Sequence, residues 1–236
     1  MTPCLELVDV TAGYGPIVVL QGVSLVVHER EVLALLGPNG GGKSTTLGVC
    51  SGLVGITSGQ LRLAGRSVTG TTPDALARAG VCAVPEGRGI FPNLTVRENL
   101  MMATHTGMPL AAIEATAYAR FPALGQRPGQ LAGTMSGGEQ QMLSMSRALA
   151  TNPAVLLLDE LSMGLAPIVV GQLYEIVAGV AADGVSVLLV EQFARSVLGI
   201  ADRAAIMLNG RIVRTGPPGE IAEELSAAYL GGKAQS

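Results

Sequence analysis

Gly37-Pro38-Asn39-Gly40-Gly41-Gly42-Lys43-Ser44 fits the pattern G-x-x-x-x-G-K-[ST] in full. Its chemistry is phosphate binding. Glycines let the backbone curl until several N–H groups point inward at phosphate oxygens, and a helix opening at Lys43 adds its positive dipole end. In this pattern Lys43 reaches the outer phosphates and Ser44 ligates Mg²⁺. The plainer alternative is a flexible Gly-rich turn that happens to precede Lys-Ser. An apolar run before the motif and a helical pattern after it favour the phosphate cradle, without saying which nucleotide it takes.

Two further segments carry chemistry. Val155-Leu156-Leu157-Leu158 runs into Asp159-Glu160. A parallel strand ending there would deliver two carboxylates to the crevice at the carboxyl edge of the sheet. Asp159 could hold Mg²⁺, and Glu160 could polarise an attacking water as general base, an effect worth about 10²–10⁴ in rate. Alone, the pair could equally be acids capping a turn in solvent. The other segment is Met135-Ser136-Gly137-Gly138-Glu139-Gln140-Gln141. Ser136 and Glu139 have capping-box spacing, sufficient reason for a helix to begin there. Two glycines after the cap also leave helix N–H groups open to an anion. Because Gly37–Ser44 is already one phosphate site, this second one would serve another molecule's nucleotide.

The elements that must position these residues are legible in outline. Leu5, Leu7 and Val10 partly alternate with polar neighbours, and Ser24–Val27, Val32–Leu36, Gln60–Leu63 and Val81–Val84 are short β-rich runs. A helix is expected from about Lys43 to Ser51, with Gly52 following as its C′ residue. From Thr95 to about Leu131 the texture is helical and interrupted by Pro109, Pro122 and Pro128, with Thr95 and Glu98 forming a capping box. Helices near Gly137–Ala150 and Ile168–Ala181 then alternate with strands Val155–Leu158 and Val185–Val190. Asn209-Gly210 between Ala204–Leu208 and Arg211–Arg214 predicts a hairpin. This alternation implies a mostly parallel sheet covered on both faces. The N-terminal strands and the last hairpin are expected to form an antiparallel addition.

Composition sets the outer limits. Of 236 residues 48% are apolar, enough for a sizeable core, whereas aromatics make up 3% and Trp is absent, so aliphatic side chains must do the packing. The net charge of −3 argues against a nucleic-acid partner, which would need a basic face. Cys4, Cys50 and Cys82 form no C-x-x-C pair and read as small buried hydrophobes in a reducing compartment. Two histidines make a His-based metal site an unattractive reading. The N-terminus lacks the pattern of a secretory signal, and no run approaches the ~18 apolar residues of a membrane span. The expectation is a cytoplasmic chain.

Taken in order, Gly37–Ser44, Glu86–Arg88, Ser136–Gln141 and Asp159–Glu160 resemble the ATP-binding subunits of the ABC transporter superfamily over essentially the whole length. The resemblance implies an α/β P-loop NTPase fold with a RecA-like, mostly parallel core, an antiparallel β addition and an inserted helical subdomain. On that reading the chain is one ABC ATPase domain. Residues 1–85 and 150–236 form its core, and about 86–149 its helical subdomain. ATP and Mg²⁺ are the implied ligands, with Gly37, Pro38, Asn39, Gly40, Gly41, Gly42, Lys43, Ser44 and Thr45 around the phosphates. The Ser136-Gly137-Gly138 signature of one subunit would close on the γ-phosphate held by another. Tyr14 falls where the family places an aromatic on adenine; an ordinary loop tyrosine is the alternative.

Where most members carry a Gln that contacts Mg²⁺ and the attacking water, this chain has Glu86. The usual switch histidine is Gln192, which can donate to a phosphate oxygen but cannot carry a proton as His can. Met135 and Leu161 replace the common Leu and Pro. The string Pro85-Glu86-Gly87-Arg88, then Phe91 to Asn99, Val190-Glu191-Gln192, Gly164-Leu165-Ala166-Pro167 and Ala228-Tyr229-Leu230-Gly231, resembles the smaller ATPase subunit of branched-chain amino-acid importers. That implies transmembrane permease subunits, a second ATPase (identical or related) and, indirectly, an extracytoplasmic binding protein. The chain would then sit on the inner face of the cell membrane. The same machine moving urea, amides or a lipid is the alternative, followed by a soluble ABC ATPase outside transport.

Overall fold

The structure, a computed structural model, describes residues 2–87, 89–192 and 194–231. Arg88, one of the family-matching residues, lies outside them. The chain opens with two long strands, β1 (Pro3–Tyr14) and β2 (Ile17–His28), paired antiparallel. β4 (Ile56–Leu63) and the short β5 (Arg66–Ser67) complete a four-stranded sheet in the order β2-β1-β4-β5. The second sheet has six strands in the order β10-β9-β3-β8-β7-β6. They are β3 (Val32–Leu36), β6 (Val81–Val84), β7 (Val155–Asp159), β8 (Ser186–Glu191), β9 (Arg203–Leu208) and β10 (Arg211–Gly216).

β9, β3, β8, β7 and β6 run parallel, and only β10 is antiparallel. This corrects the expectation for the last hairpin. β9 is hydrogen-bonded to β3 inside the main sheet, so the hairpin extends the parallel core and the antiparallel sheet is built from the N-terminal half alone. Asn209 and Gly210 do make the turn, with φ of 49° and 74° as a type I′ turn requires.

Both faces of the parallel strands are buried, and alternate residues feed different cores. Leu33 and Leu35 of β3, Leu157 of β7 and Leu188 of β8 face Leu5, Val10 and Leu20 of the antiparallel sheet, with helix α1 (Lys43–Cys50) in the same core. Ala34 and Leu36, Leu156 and Leu158, and Val187 and Leu189 face the other way, toward the helices. Their cover includes α3 (Val96–Met101), α4 (Leu110–Arg120), α5 (Pro122–Gly125), α6 (Gly137–Leu149) and α7 (Pro167–Ala182). α2 (Pro73–Arg78), α8 (Ala194–Val197) and α9 (Pro218–Gly231) complete the described helices, with 3₁₀ turns at Met102–Thr106 and Ala132–Thr134.

Local chemistry explains the helix starts. Thr72, Thr95 and Ser136 are N-caps whose side chains accept backbone N–H groups of α2, α3 and α6. α1 differs: its N-cap is Gly42 at φ 105°, with no side-chain cap and no acid in the first turn. No helix among the described residues is long and apolar enough to cross a membrane. The thiols are free, and burial pushes that of Cys50 up to about 12, which suits an inert packing role.

Candidate functional site

The register of the parallel sheet assembles the site. Val84 of β6 lies opposite Leu158 of β7, Asp159 opposite Val190 of β8, and Glu191 opposite Leu36 of β3. The four strands therefore end on one rim. Gly37 follows β3, Glu86 is two residues past β6, Asp159 closes β7 with Glu160 next, and Gln192 follows β8. Residues up to 155 apart in sequence meet because parallel strands carry their carboxyl ends to the same edge.

The loop from Gly37 to Gly42 is held from below by the β9–β10 hairpin and from the side by β2. A Cβ on Gly37 would lie 2.2 Å from the carbonyl oxygen of Met207, so only glycine fits where the loop leaves β3. The N–H of Gly210 donates to the Gly41 carbonyl at 2.8 Å, and that of Gln21 donates to the Gly210 carbonyl at 2.9 Å. These contacts fix the loop before any ligand is considered. The hairpin was predicted as a turn, but nothing in its residues announces that it braces a loop some 170 positions away.

Lys43 is only 4% exposed. Its Nζ donates to the Pro38 carbonyl at 3.2 Å and lies 3.7 Å from Glu160 Oε1. The Ser44 hydroxyl donates to Asp159 Oδ1 at 3.3 Å. Burial raises the Asp159 pKa; the Ser44 bond opposes this, Glu160 and Glu86 push further upward, and Lys43 pulls down. Glu160 sits at φ 46°, a left-handed conformation that costs a non-glycine residue energy and that clusters at functional sites. Its N–H donates to the Val190 carbonyl at 3.0 Å.

A cleft beside these groups is lined by Glu86, Gly87, Asp159, Glu160, Leu161 and two residues of α6, Gln140 and Gln141. The two glutamines were read only as part of a signature string; their place on this wall comes from α6 packing across the rim. Tyr14, Gln192 and Ser136–Gly138 are not on this wall. Tyr14 is 56% exposed at the end of β1, opposite Ile17. Gln192 is exposed. Ser136 caps α6 in a full capping box, with Glu139 Oε2 accepting from the Ser136 N–H and hydroxyl at 2.9 and 2.7 Å. Gly138 is buried, and a Cβ there would meet Val169 Cγ1 at 2.4 Å. Its missing side chain thus serves the packing of α6 on α7, a constraint the sequence string did not reveal.

The donor set fits a nucleotide triphosphate with a hard divalent cation. An uncapped helix N-terminus and a buried ammonium offer positive groups to phosphate, while Ser44, Asp159 and Glu86 offer oxygens. Among the described residues no three His, Cys, Asp or Glu side chains converge to hold a metal on their own. Mg²⁺ is commonly bound by one or two carboxylates, with phosphate and water completing its shell.

Comparison with known proteins gives the family and the fold. The family described as ABC transporter matches residues 20–162. A high-affinity branched-chain amino acid transport ATP-binding protein, BraG of Pseudomonas aeruginosa, is 44% identical over 94% of this chain and 97% of its own. A lipopolysaccharide export system ATP-binding protein, LptB of Acidithiobacillus ferridurans, is 32% identical over 100% of both chains. Among solved structures, the ADP conformation of MJ1267, an ATP-binding cassette of an ABC transporter, superposes with a TM-score of 0.84 at 27% identity, covering 96% of each chain.

Proposed function

The chain belongs to the ABC transporter family, an ATPase whose hydrolysis is coupled to transport, and on that premise we propose that it energises import of branched-chain or related amino acids. The observation that carries the cargo reading is the 44% identity to BraG over nearly the full length of both chains. A second reading, another cargo such as a lipid, draws on the likeness to LptB.

In the proposed mechanism the backbone N–H groups of Gly37–Thr45 and the Lys43 ammonium hold the ATP phosphates. Ser44, Asp159 and Glu86 would hold Mg²⁺, which supplies charge neutralisation and orients the phosphate oxygens. Glu160, at the same rim, takes a proton from the attacking water as general base. Its Oε1 lies 3.7 Å from the Lys43 ammonium, which places the carboxylate at the phosphate end of the site. Gln192 positions the outer phosphate as a hydrogen-bond donor, and Tyr14 stacks on adenine. Ser136–Gly138 are contributed by a second ATPase subunit, either another copy or a related chain, whose approach excludes bulk water. Residues of about 86–149 form the helical subdomain that meets the permease subunits at the inner face of the membrane. An extracytoplasmic binding protein would deliver cargo, and no nucleic acid takes part.

The test is gentle affinity purification from native membranes, followed by ATP-driven uptake of labelled branched-chain amino acids by the recovered complex in vesicles. Two polytopic membrane proteins, a second ATPase and saturable uptake are expected. Recovery with lipid-export components, or with soluble partners alone, would overturn the cargo assignment.

A further inference from the structure

The carboxylate of Glu191, 1% exposed at the end of β8, accepts three hydrogen bonds. Oε1 receives the Ser162 N–H at 3.0 Å and the Tyr174 hydroxyl at 2.9 Å, and Oε2 receives the Ser162 hydroxyl at 2.8 Å. Ser162 is two residues past Glu160, and the Glu160 N–H already donates to Val190. The turn that carries Glu160 in its left-handed conformation is therefore fastened to the end of β8 at two consecutive residues, Val190 and Glu191. The next residue along is Gln192. Tyr174, on α7, is 3% exposed and completes the anchorage from the helical side.

We propose that Glu191 is a positioning residue for ATP hydrolysis, its carboxylate locking the turn after β7 to the end of β8 and so fixing Glu160 relative to Lys43 and Gln192. Burying a carboxylate is expensive, and a well-packed apolar residue between β8 and α7 would serve stability as well or better. What an apolar residue cannot do is accept from one N–H and two hydroxyls with two oxygens at once. Glu191 lies behind the turn and acts through it; Glu160 alone is assigned contact with the reacting water. This inference rests on the reading of Glu160 as the base.

The test is steady-state ATPase kinetics of the full chain carrying Glu191→Gln, Tyr174→Phe or Ser162→Ala, with thermal melting and ATP-binding measurements on each. Glu191→Gln keeps the shape but removes the charge, so the bonds from the Ser162 N–H and the Tyr174 hydroxyl lose their charge assistance and the Ser162 hydroxyl must turn from donor to acceptor. A kcat lowered about tenfold, with KM for ATP within about twofold, is expected from a small displacement of the base. The single-donor variants should shift in the same direction by less. A folded Glu191→Gln with unchanged kcat overturns the proposal, as does a KM that rises while kcat holds. Should Glu191→Gln not fold, unchanged kcat in both Tyr174→Phe and Ser162→Ala overturns it equally. Glu160→Gln in the same assay separates the two claims. If that variant keeps its turnover, the base assignment fails. If it loses turnover while Glu191→Gln does not, only the positioning role fails.

Discussion

Glu98 and Glu139 each close a capping box, and each carboxyl ionises more readily in the folded chain than its ordinary value of 4.5. For Glu98 the Thr95 N–H is the main cause and the Thr95 hydroxyl the second; for Glu139 the order is the Ser136 hydroxyl, then the Ser136 N–H. A folded pKa depressed below the unfolded one contributes stability that is fully present above about 4.5 and lost as pH falls through the folded value. Replacing both residues with Gln, which keeps a capping side chain but no charge, isolates that contribution. The gap in denaturant midpoint between wild type and the double variant should be widest near neutral pH and should narrow in acid. An equal gap at every pH would refute the assignment. Both boxes were readable, because a cap and its partner lie three residues apart. The Glu191 anchorage was not: its partners Ser162 and Tyr174 are 29 and 17 positions away, and only the fold brings them together.

At the level of elements, the sequence reading succeeded where one local force dominates. Val32–Leu36 is fully buried and appears as an uninterrupted apolar run. Gly52, at φ 76°, ends α1 as expected. It failed where signals are short or irregular. α2 buries only Leu76 and so shows no periodicity, although Thr72 and Pro73 mark its start. β1 and β2 run 12 residues each, but bulges between Leu7 and Gly13 break the alternation that would have revealed their length. The contact of Gly138 with Val169 likewise joins two helices, so no local pattern reports it. Gly138→Ala forces a methyl group to within 2.4 Å of Val169 Cγ1. A loss of about 1–3 kcal/mol in denaturant unfolding is expected, the usual range for overpacking. Adding Val169→Ala should recover much of it. If the two losses simply add, the α6–α7 contact is not the constraint described here.

For the molecule as a whole, one geometric fact ties the site together: four parallel strands ending on a common rim. It gathers Gly37, Glu86, Asp159, Glu160 and Gln192 from across the chain and places Lys43 at the head of a buried helix, 3.7 Å from Glu160. The α/β class was legible because alternating strands and helices admit few topologies. The cleft beyond the rim is lined by Glu86, Asp159 and Glu160 together with Gln140 and Gln141 of α6. The central claim is that this rim hydrolyses ATP with Glu160 as base. It is tested most directly by measuring ATP affinity and steady-state turnover of Glu160→Gln beside the wild-type chain. ATP affinity within a few-fold of wild type and turnover reduced at least about 10²-fold are predicted. Turnover at the wild-type rate would contradict the claim.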